Sequence, residues 1–449
     1  MYASGEIAPL TIMTGAELRG LMETMLPSDV LAEAAVASGF QRRVRKRDAV
    51  KFLRTILVSA SSPAGGRQAD IHRQYIDALG APVVRGSFYD WFSAPLEAAL
   101  VHLSSAIRSQ VRSQPVDLPG ALGGVRDWQI VDSTTVLLPH ALRREFPGAG
   151  TYAAVKVHKT LSVGRGGVVD YHFSPARDHD SPHLVLDETW RGMGLLADLA
   201  YASIARLAAC HQHGISVIIR LKDSWKPTVD RVARADRMST FVPGTDLDLF
   251  LDSVCLTLRN VIDLDATVGE SVPVRLVGVP TPGTGYRYYL TNVDRRLGPH
   301  QIADIYRVRW EIETNNKLDK SGHRLHQIDA RRPAAVKALL HASLISSILV
   351  GSIVHAHNRA TCPAAGPRTR APLHHGLVAR ILAQSGARLT AAFDQTGPSA
   401  SRAWDHLAAA IVHAGQDPNW RSKPSILDQL RGWPAQPSTR VRLSSKARP

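Results

Sequence analysis

The chain has 449 residues and carries 54 Lys and Arg against 39 Asp and Glu, a net charge of +15. With 44% hydrophobic residues it can bury about two to four domain cores, which excludes a disordered chain. Its three cysteines (Cys210, Cys255, Cys362) are far apart and lack Cys-x-x-Cys spacing, which excludes a disulfide scaffold, argues against a structural zinc site and fits a reducing cytoplasm.

Residues 1–120 read as a helical N-terminal domain. The first twenty residues have no basic segment followed by an apolar one, so no signal peptide is expected. Apolar residues recur at helical spacing over 49–60 and 96–111, with breaks near 62–67 and 80–86. Such short helices suit a helix-turn-helix DNA reader or a plain packing domain. The basic run Arg42-Arg43-Val44-Arg45-Lys46-Arg47 lies in this part.

From Asp127 the pattern changes to strands: WQIVDSTTVLL, AAVKVHKTLSV and VVDYHFSPA. The glycine cluster at 164–167 is a hairpin turn rather than a phosphate loop, because no helix follows it at the required spacing. A helix over 181–193, a strand LLADLAY, a helix over 203–213 and a strand over 215–221 complete a mixed α/β sheet across 121–222. Residues 223–285 are acidic and strand-rich and read as a β-rich insertion. A strand over 286–292 and helices over 301–320 and 334–357 make 286–360 the second part of the core. The apolar run 338–354 is about 17 residues, short of the roughly 20 a span needs, so it reads as a buried helix of a soluble protein with no membrane partner. Residues 361–449 form a basic, helical C-terminal region. Of the net charge, +14 lies in 281–449. Such asymmetry points to a polyanion partner, whose counterions Lys and Arg displace.

Three carboxylates stand out by position. Asp132 interrupts the apolar strand Val131-Asp132-Ser133-Thr134-Thr135-Val136, and Asp198 interrupts Leu195-Leu196-Ala197-Asp198-Leu199. A buried carboxylate is costly unless it is paired or binds a cation, and two on one sheet suit a hard divalent ion. On a continuous helix over 301–320, Tyr306, Arg309, Glu313 and Lys320 fall within roughly 60° of one another. The apolar Ile302, Ile305 and Ile312 run beside that stripe, so the helix can pack and still present Glu313 to a cleft.

These residues resemble the DDE transposases of the insertion-sequence-four family. Asp132 opens Asp-Ser-Thr-Thr, Lys156-Val157-His158 resembles the family's Lys-x-His, and Leu196-Ala197-Asp198 with Tyr201 resembles the second aspartate's motif. Tyr306, Arg309, Glu313 and Lys320 fit the Tyr-Arg-Glu-Lys signature at full spacing. The intervals of 66 residues from Asp132 to Asp198 and 115 from Asp198 to Glu313 suit a family with a β-rich insertion in the second gap. Asn315 and Asn316 depart from it, standing where larger apolar or aromatic residues are usual, as does Leu199-Ala200, which replaces a basic-then-small pair.

The resemblance implies an RNase H-like catalytic domain performing cut-and-paste DNA transposition with a hairpin intermediate. Asp132, Asp198 and Glu313 would hold two Mg²⁺ ions, with Mn²⁺ tolerated. Tyr306, Arg309 and Lys320 would grip DNA, with Lys156, His158, Arg220 and Lys222 as further contacts. Terminal inverted repeats and target DNA would be the partners of a homodimer in a bacterial, nucleoid-associated cytoplasmic setting. Trp225, Tyr286 and Tyr288 are weaker candidates to stack a flipped base. His211 and His213 read as helix capping, and His374-His375 as solvated. The alternatives are a non-catalytic DNA-binding derivative and an RNase H-like nuclease without a transfer step.

Overall fold

The computed structural model describes residues 13–41, 48–61, 67–235, 242–253, 260–281, 285–328, 330–361 and 370–431. The basic run 42–47, Cys255, Cys362 and most of VCLTLRNV lie outside the described residues.

Local sequence accounts for the helices before residue 120. In α1 (Gly15–Met25), Thr14 and Glu17 form a reciprocal capping box. α2 spans Ser28–Ala37, and Asp48 caps α3 (Ala49–Val58) by accepting from the Lys51 N–H at 2.9 Å. α4 (Arg67–Leu79), α5 (Arg85–Asp90) and α6 (Ala94–Ser113) follow. Phe52 of α3 is the hub of this region: the rings of Phe40, Tyr75, Phe88, Trp91 and Phe92 surround it at centroid distances of 5.4–6.0 Å.

The sheet begins with β1 (Trp128–Leu138), β2 (Ala153–Ser162), β3 (Gly167–Pro175) and β4 (Gly194–Ala197). Then come α7 (Ile204–His213) and β5 (Ser216–Arg220). The order β3-β2-β1-β4-β5, with β1–β3 antiparallel and β4 and β5 parallel to β1, is the RNase H arrangement. The remaining strands are β6 (Thr228–Arg234), β7 (Thr245–Asp246), β8 (Ile262–Val268), β9 (Val272–Thr281) and β10 (Gly285–Thr291), with α8 (Leu247–Ser253) after β7. They extend the same sheet through β10 to ten strands rather than forming a second one.

After the sheet come α9 (Pro299–Arg307), α10 (Trp310–Ser321), α11 (Pro333–Ala360), α12 (His375–Gln384), α13 (Gly386–Ala392), α14 (Pro398–Ala414) and α15 (Ile426–Leu430). One core joins α1–α6, α11–α14 and β2–β3. α1 packs so closely on α14 that a Cβ at Gly15 would lie 2.4 Å from the Asp405 backbone nitrogen. Two smaller cores cover the sheet and the helices laid on it. α11 is long and apolar enough to cross a membrane by length and composition, but 89% of its apolar window is buried within the protein.

Four local expectations are corrected. Segment 181–193 is not a helix: it holds two 3₁₀ turns, Ser181–His183 and Glu188–Trp190, and lays Leu184, Leu186 and Trp190 against a sheet core. Alternate apolar residues of an extended strap satisfy that packing better than a helical stripe. The strand LLADLAY ends at Ala197, and Asp198 begins a 3₁₀ turn over Leu199–Tyr201. The helix over 301–320 is broken between Arg307 and Trp310, where the N–H groups of Val308, Arg309, Glu311 and Ile312 bond three residues back. This tighter winding rotates the faces of the two halves and turns Tyr306 into the core.

His374-His375 is the fourth correction. The His375 ring is 3.0 Å from His323, whose other nitrogen is 2.6 Å from the Ser61 hydroxyl. Burial, with the neighbouring ring, pushes His323 down to about 3, and burial pushes His341 down to about 4. Both are lowered below the unfolded value near 6.5, so their contribution is present above that pH and is lost as pH falls toward the folded values. Stability should therefore fall as pH drops from about 6.5 to 4.5, by up to about 1.4 kcal/mol per pH unit for each histidine, and the melting temperature with it. A His341→Gln variant followed by circular dichroism should show a shallower slope; an unchanged slope refutes this account.

Candidate active site

Parallel pairing of β1 and β4 matches Val131 with Ala197. The next residues, Asp132 and Asp198, therefore leave adjacent strands at the same end, where β4 stops and β1 continues against β2 alone. Burial raises the Asp132 carboxyl, and the negative charge of Asp198 adds to the rise. α10 lies across β1, and its Asn316 amide donates to Asp132 Oδ2 at 2.8 Å. Glu313, one turn earlier, accepts from the Arg309 guanidinium at 2.7 Å.

Arg309 sits among all three carboxylates. Its charge acts on Asp132, and although burial opposes its ionisation, Tyr306, Glu313 and Asp198 raise its pKa. Its Nε is buried without a hydrogen-bond partner. The Tyr306 hydroxyl approaches the Ala197 carbonyl at 3.5 Å, directly before Asp198. Glu313 is turned to Arg309, and the three carboxylates are not drawn into one tight cluster. Among the described residues, only His158, His172 and His183 form a group whose ligand atoms all lie within 4.8 Å of one another.

Beneath the carboxylates is a polar layer that sequence reasoning missed. Lys159 is the cross-strand neighbour of Asp132. Its ammonium is fully buried and donates to Asn315 Oδ1 at 2.8 Å and to Asp319, which also accepts from Ser347 at 2.6 Å. Asn315 and Asn316, which stand where the family usually has larger apolar or aromatic residues, are the groups that bolt α10 to β2 and β1. The signal was present in Ile312, Asn315, Asn316 and Asp319, which repeat at core-facing intervals with amides and an acid in apolar places.

The expected DNA contacts divide into two groups. Arg220 is exposed at the end of β5, Lys222 lies 5.7 Å from the Trp225 ring, and Lys320 is half-buried two turns beyond Glu313. Lys156 and His158 are turned inward: Lys156 donates to the Asp178 carbonyl at 2.6 Å and pairs with Asp180 at 3.1 Å. His158 is buried, and burial together with His172 and His183 pushes it down to about 3, so its ring is neutral and enclosed. Tyr286 donates to the Asn260 carbonyl at 2.9 Å and packs with Tyr288 and Trp225 against a sheet core. His213 pairs with Glu188 at 2.9 Å at the end of α7.

The family profile described as the transposase DDE domain matches residues 124–349, half of the chain and the part that carries all three carboxylates. The chain belongs to the DDE transposases. It is an enzyme of DNA transposition. This transposase is 21% identical over 369 residues to the transposase for insertion sequence element IS231C of Bacillus thuringiensis subsp. berliner, covering 73% of this chain and 77% of that protein. It is 23% identical over 265 residues to the transposase for insertion sequence element IS231D of Bacillus thuringiensis subsp. finitimus, covering 50% and 55%. Among solved structures it is similar to the piggyBac transposase synaptic complex with hairpin DNA, with TM-score 0.49 and 11% identity over 91% of this chain and 90% of that one. DDE transposases depend on divalent metal, and the donor chemistry fits one: Asp132 and Asp198 leave adjacent strands side by side, the Asp132 carboxyl is disfavoured in its ionised form, and Glu313 lies on the helix above them, held by Arg309.

Proposed function

We propose that the transposase cuts DNA at the terminal inverted repeats of its element and joins the ends to target DNA, with Asp132, Asp198 and Glu313 as its catalytic carboxylates. The observation that carries this reading is the side-by-side exit of Asp132 and Asp198 from β1 and β4, with Glu313 on the helix laid over them. The three carboxylates would hold two Mg²⁺ ions, which when bound activate the attacking oxygen and stabilise the leaving one. Glu313 would exchange Arg309 for an ion, leaving the guanidinium to take a phosphate oxygen bidentately. Asn316 fixes the Asp132 carboxylate, while Tyr306 backs Arg309 from the core. Lys320, Arg220 and Lys222 contribute positive charge along the DNA path, and Trp310, 53% exposed beside Lys317, offers a ring to it.

Pairing two ends implies two protomers, in a cytoplasmic setting, and the Tyr306, Arg309, Glu313 and Lys320 spacing supports the insertion-sequence-four type with a hairpin intermediate. The test is a labelled duplex bearing the element's terminal repeat, incubated with Mg²⁺ or with EDTA. Nicking at the repeat boundary only with Mg²⁺ is the expected result. Binding without cutting under both conditions overturns it in favour of an end-recognition protein. Asn316→Ala should weaken the apparent Mg²⁺ affinity for cleavage about 10–100-fold, read from the Mg²⁺ dependence of the nicking rate, because it frees a carboxylate that its neighbour orients.

A further inference from the structure

The sheet carries a second donor cluster with no part in the carboxylate chemistry. His158 follows Val157 on β2 and faces the side opposite Lys159, away from α10. Its cross-strand partner on β3 is His172, and His183 comes from the 3₁₀ turn that folds back after β3. The His158 ring stacks on both others, with centroids 4.7 Å apart for His158 and His172 and 4.1 Å for His158 and His183, while His172 and His183 are tilted to each other.

Two details distinguish this cluster from simple packing. His172 Nε2 and His183 Nδ1 are 3.3 Å apart. A tetrahedral zinc ion with Zn–N bonds of about 2.0–2.1 Å holds its ligand nitrogens about 3.3–3.4 Å apart, so this pair already spans one edge of such a site. The second detail is His158 Nδ1, which is buried and has no hydrogen-bond partner. Ser174 donates its hydroxyl to the Pro175 carbonyl at 3.3 Å and so accepts from His158 Nε2 at 2.9 Å. That bond puts the ring proton on Nε2 and leaves a lone pair on Nδ1, the tautomer a metal ligand needs. Asp180 Oδ1 lies 3.9 Å from that nitrogen and is itself held by Ser133 at 2.7 Å and Lys156 at 3.1 Å.

We infer that His158, His172 and His183 bind one zinc-class transition-metal ion, separate from the carboxylate centre. Imidazoles select such ions, whereas the carboxylates prefer hard Mg²⁺, so the two sites take different metals. The three ligands are mutually close in a cavity of about 180 Å³ that also reaches Asp132. The ion pins the strap after β3, which carries His183, to β2 and β3 beside the cleavage site. Its fourth position is left to water or Asp180.

The test uses the full chain, stripped with chelator, dialysed against limiting Zn²⁺ and then assayed for bound metal, with Co²⁺ as a spectroscopic substitute. One Zn²⁺ per chain and the visible spectrum of four-coordinate Co²⁺ are expected. His172→Ala and His183→Ala, at exposed and half-buried positions, should each weaken binding at least about 100-fold. His179→Ala, a neighbouring exposed histidine, should bind as wild type. Zn²⁺ should raise the melting temperature of wild type but not of the two cluster variants, whose metal-free melting shows that they fold. Wild type that retains no stoichiometric zinc, or zinc binding that survives both cluster variants, overturns the inference.

Discussion

Asp132→Asn, Asp198→Asn and Glu313→Gln should each lower the rate of DNA nicking at the element's end by at least about 10³-fold, which is about 4 kcal/mol of barrier. Each change keeps the shape of the side chain and removes one negative charge. Asp132→Asn also relieves the burial cost of a carboxylate whose pKa is already raised, so the variant should be no less stable than wild type. The expected signature is therefore a dead enzyme that is well folded and still binds the terminal repeat. Quench-flow or gel assays of nicking, paired with thermal melts, separate loss of chemistry from loss of structure. A Glu313→Gln variant that cuts within tenfold of wild type refutes the assignment of that residue. The Glu313–Arg309 pair at 2.7 Å gives a further distinction, since the glutamine variant loses the ion pair while Arg309 stays near Asp198.

The second large effect is on stability. The Lys159 and Asp319 side chains are 0% and 1% exposed, and Ser347 and Asn315 complete their hydrogen bonds. Burial opposes the charged form of Asp319, but the Lys159 ammonium and His323, together with the hydrogen bonds from Lys159 and Ser347, hold the carboxyl below its usual range. Removing one partner leaves an uncompensated charge in the core, so Lys159→Met or Asp319→Leu should each cost about 3–5 kcal/mol. The double variant should recover most of that loss, because two apolar groups need no partner. Denaturant melts of the two single variants and the double variant measure the coupling. Simple addition of the two losses in the double variant contradicts a direct buried pair.

How much was legible follows from which interactions are local. Asp132 and Asp198 were conspicuous because each breaks an apolar strand, and the spacing from Tyr306 through Lys320 marked Glu313. The strands of the first half were legible as short runs rich in apolar and β-branched residues, and α11 from its apolar length. The break at Val308–Arg309 was not, because every residue there tolerates a helix and the tighter turn is imposed by packing α9 on the sheet and α10 across β1. The strap 181–193 was misread for a related reason: its apolar residues meet a sheet laid down by other parts of the chain. Lys159 looked like an ordinary strand lysine, and only the approach of α10 makes it a buried partner for Asp319. The histidine group joins β2, β3 and the strap, and no sequence spacing links 158, 172 and 183 as a motif.

The most direct test of the central claim is to ask the metal where it sits. Fe²⁺ substituted for Mg²⁺ and treated with ascorbate and peroxide cuts the polypeptide next to the bound ion. The account expects cuts around residues 132, 198 and 313 that excess Mg²⁺ suppresses, distinct from any cuts near the histidine cluster, which Mg²⁺ should leave unchanged. Mg²⁺-suppressible cuts that avoid all three carboxylates would contradict it.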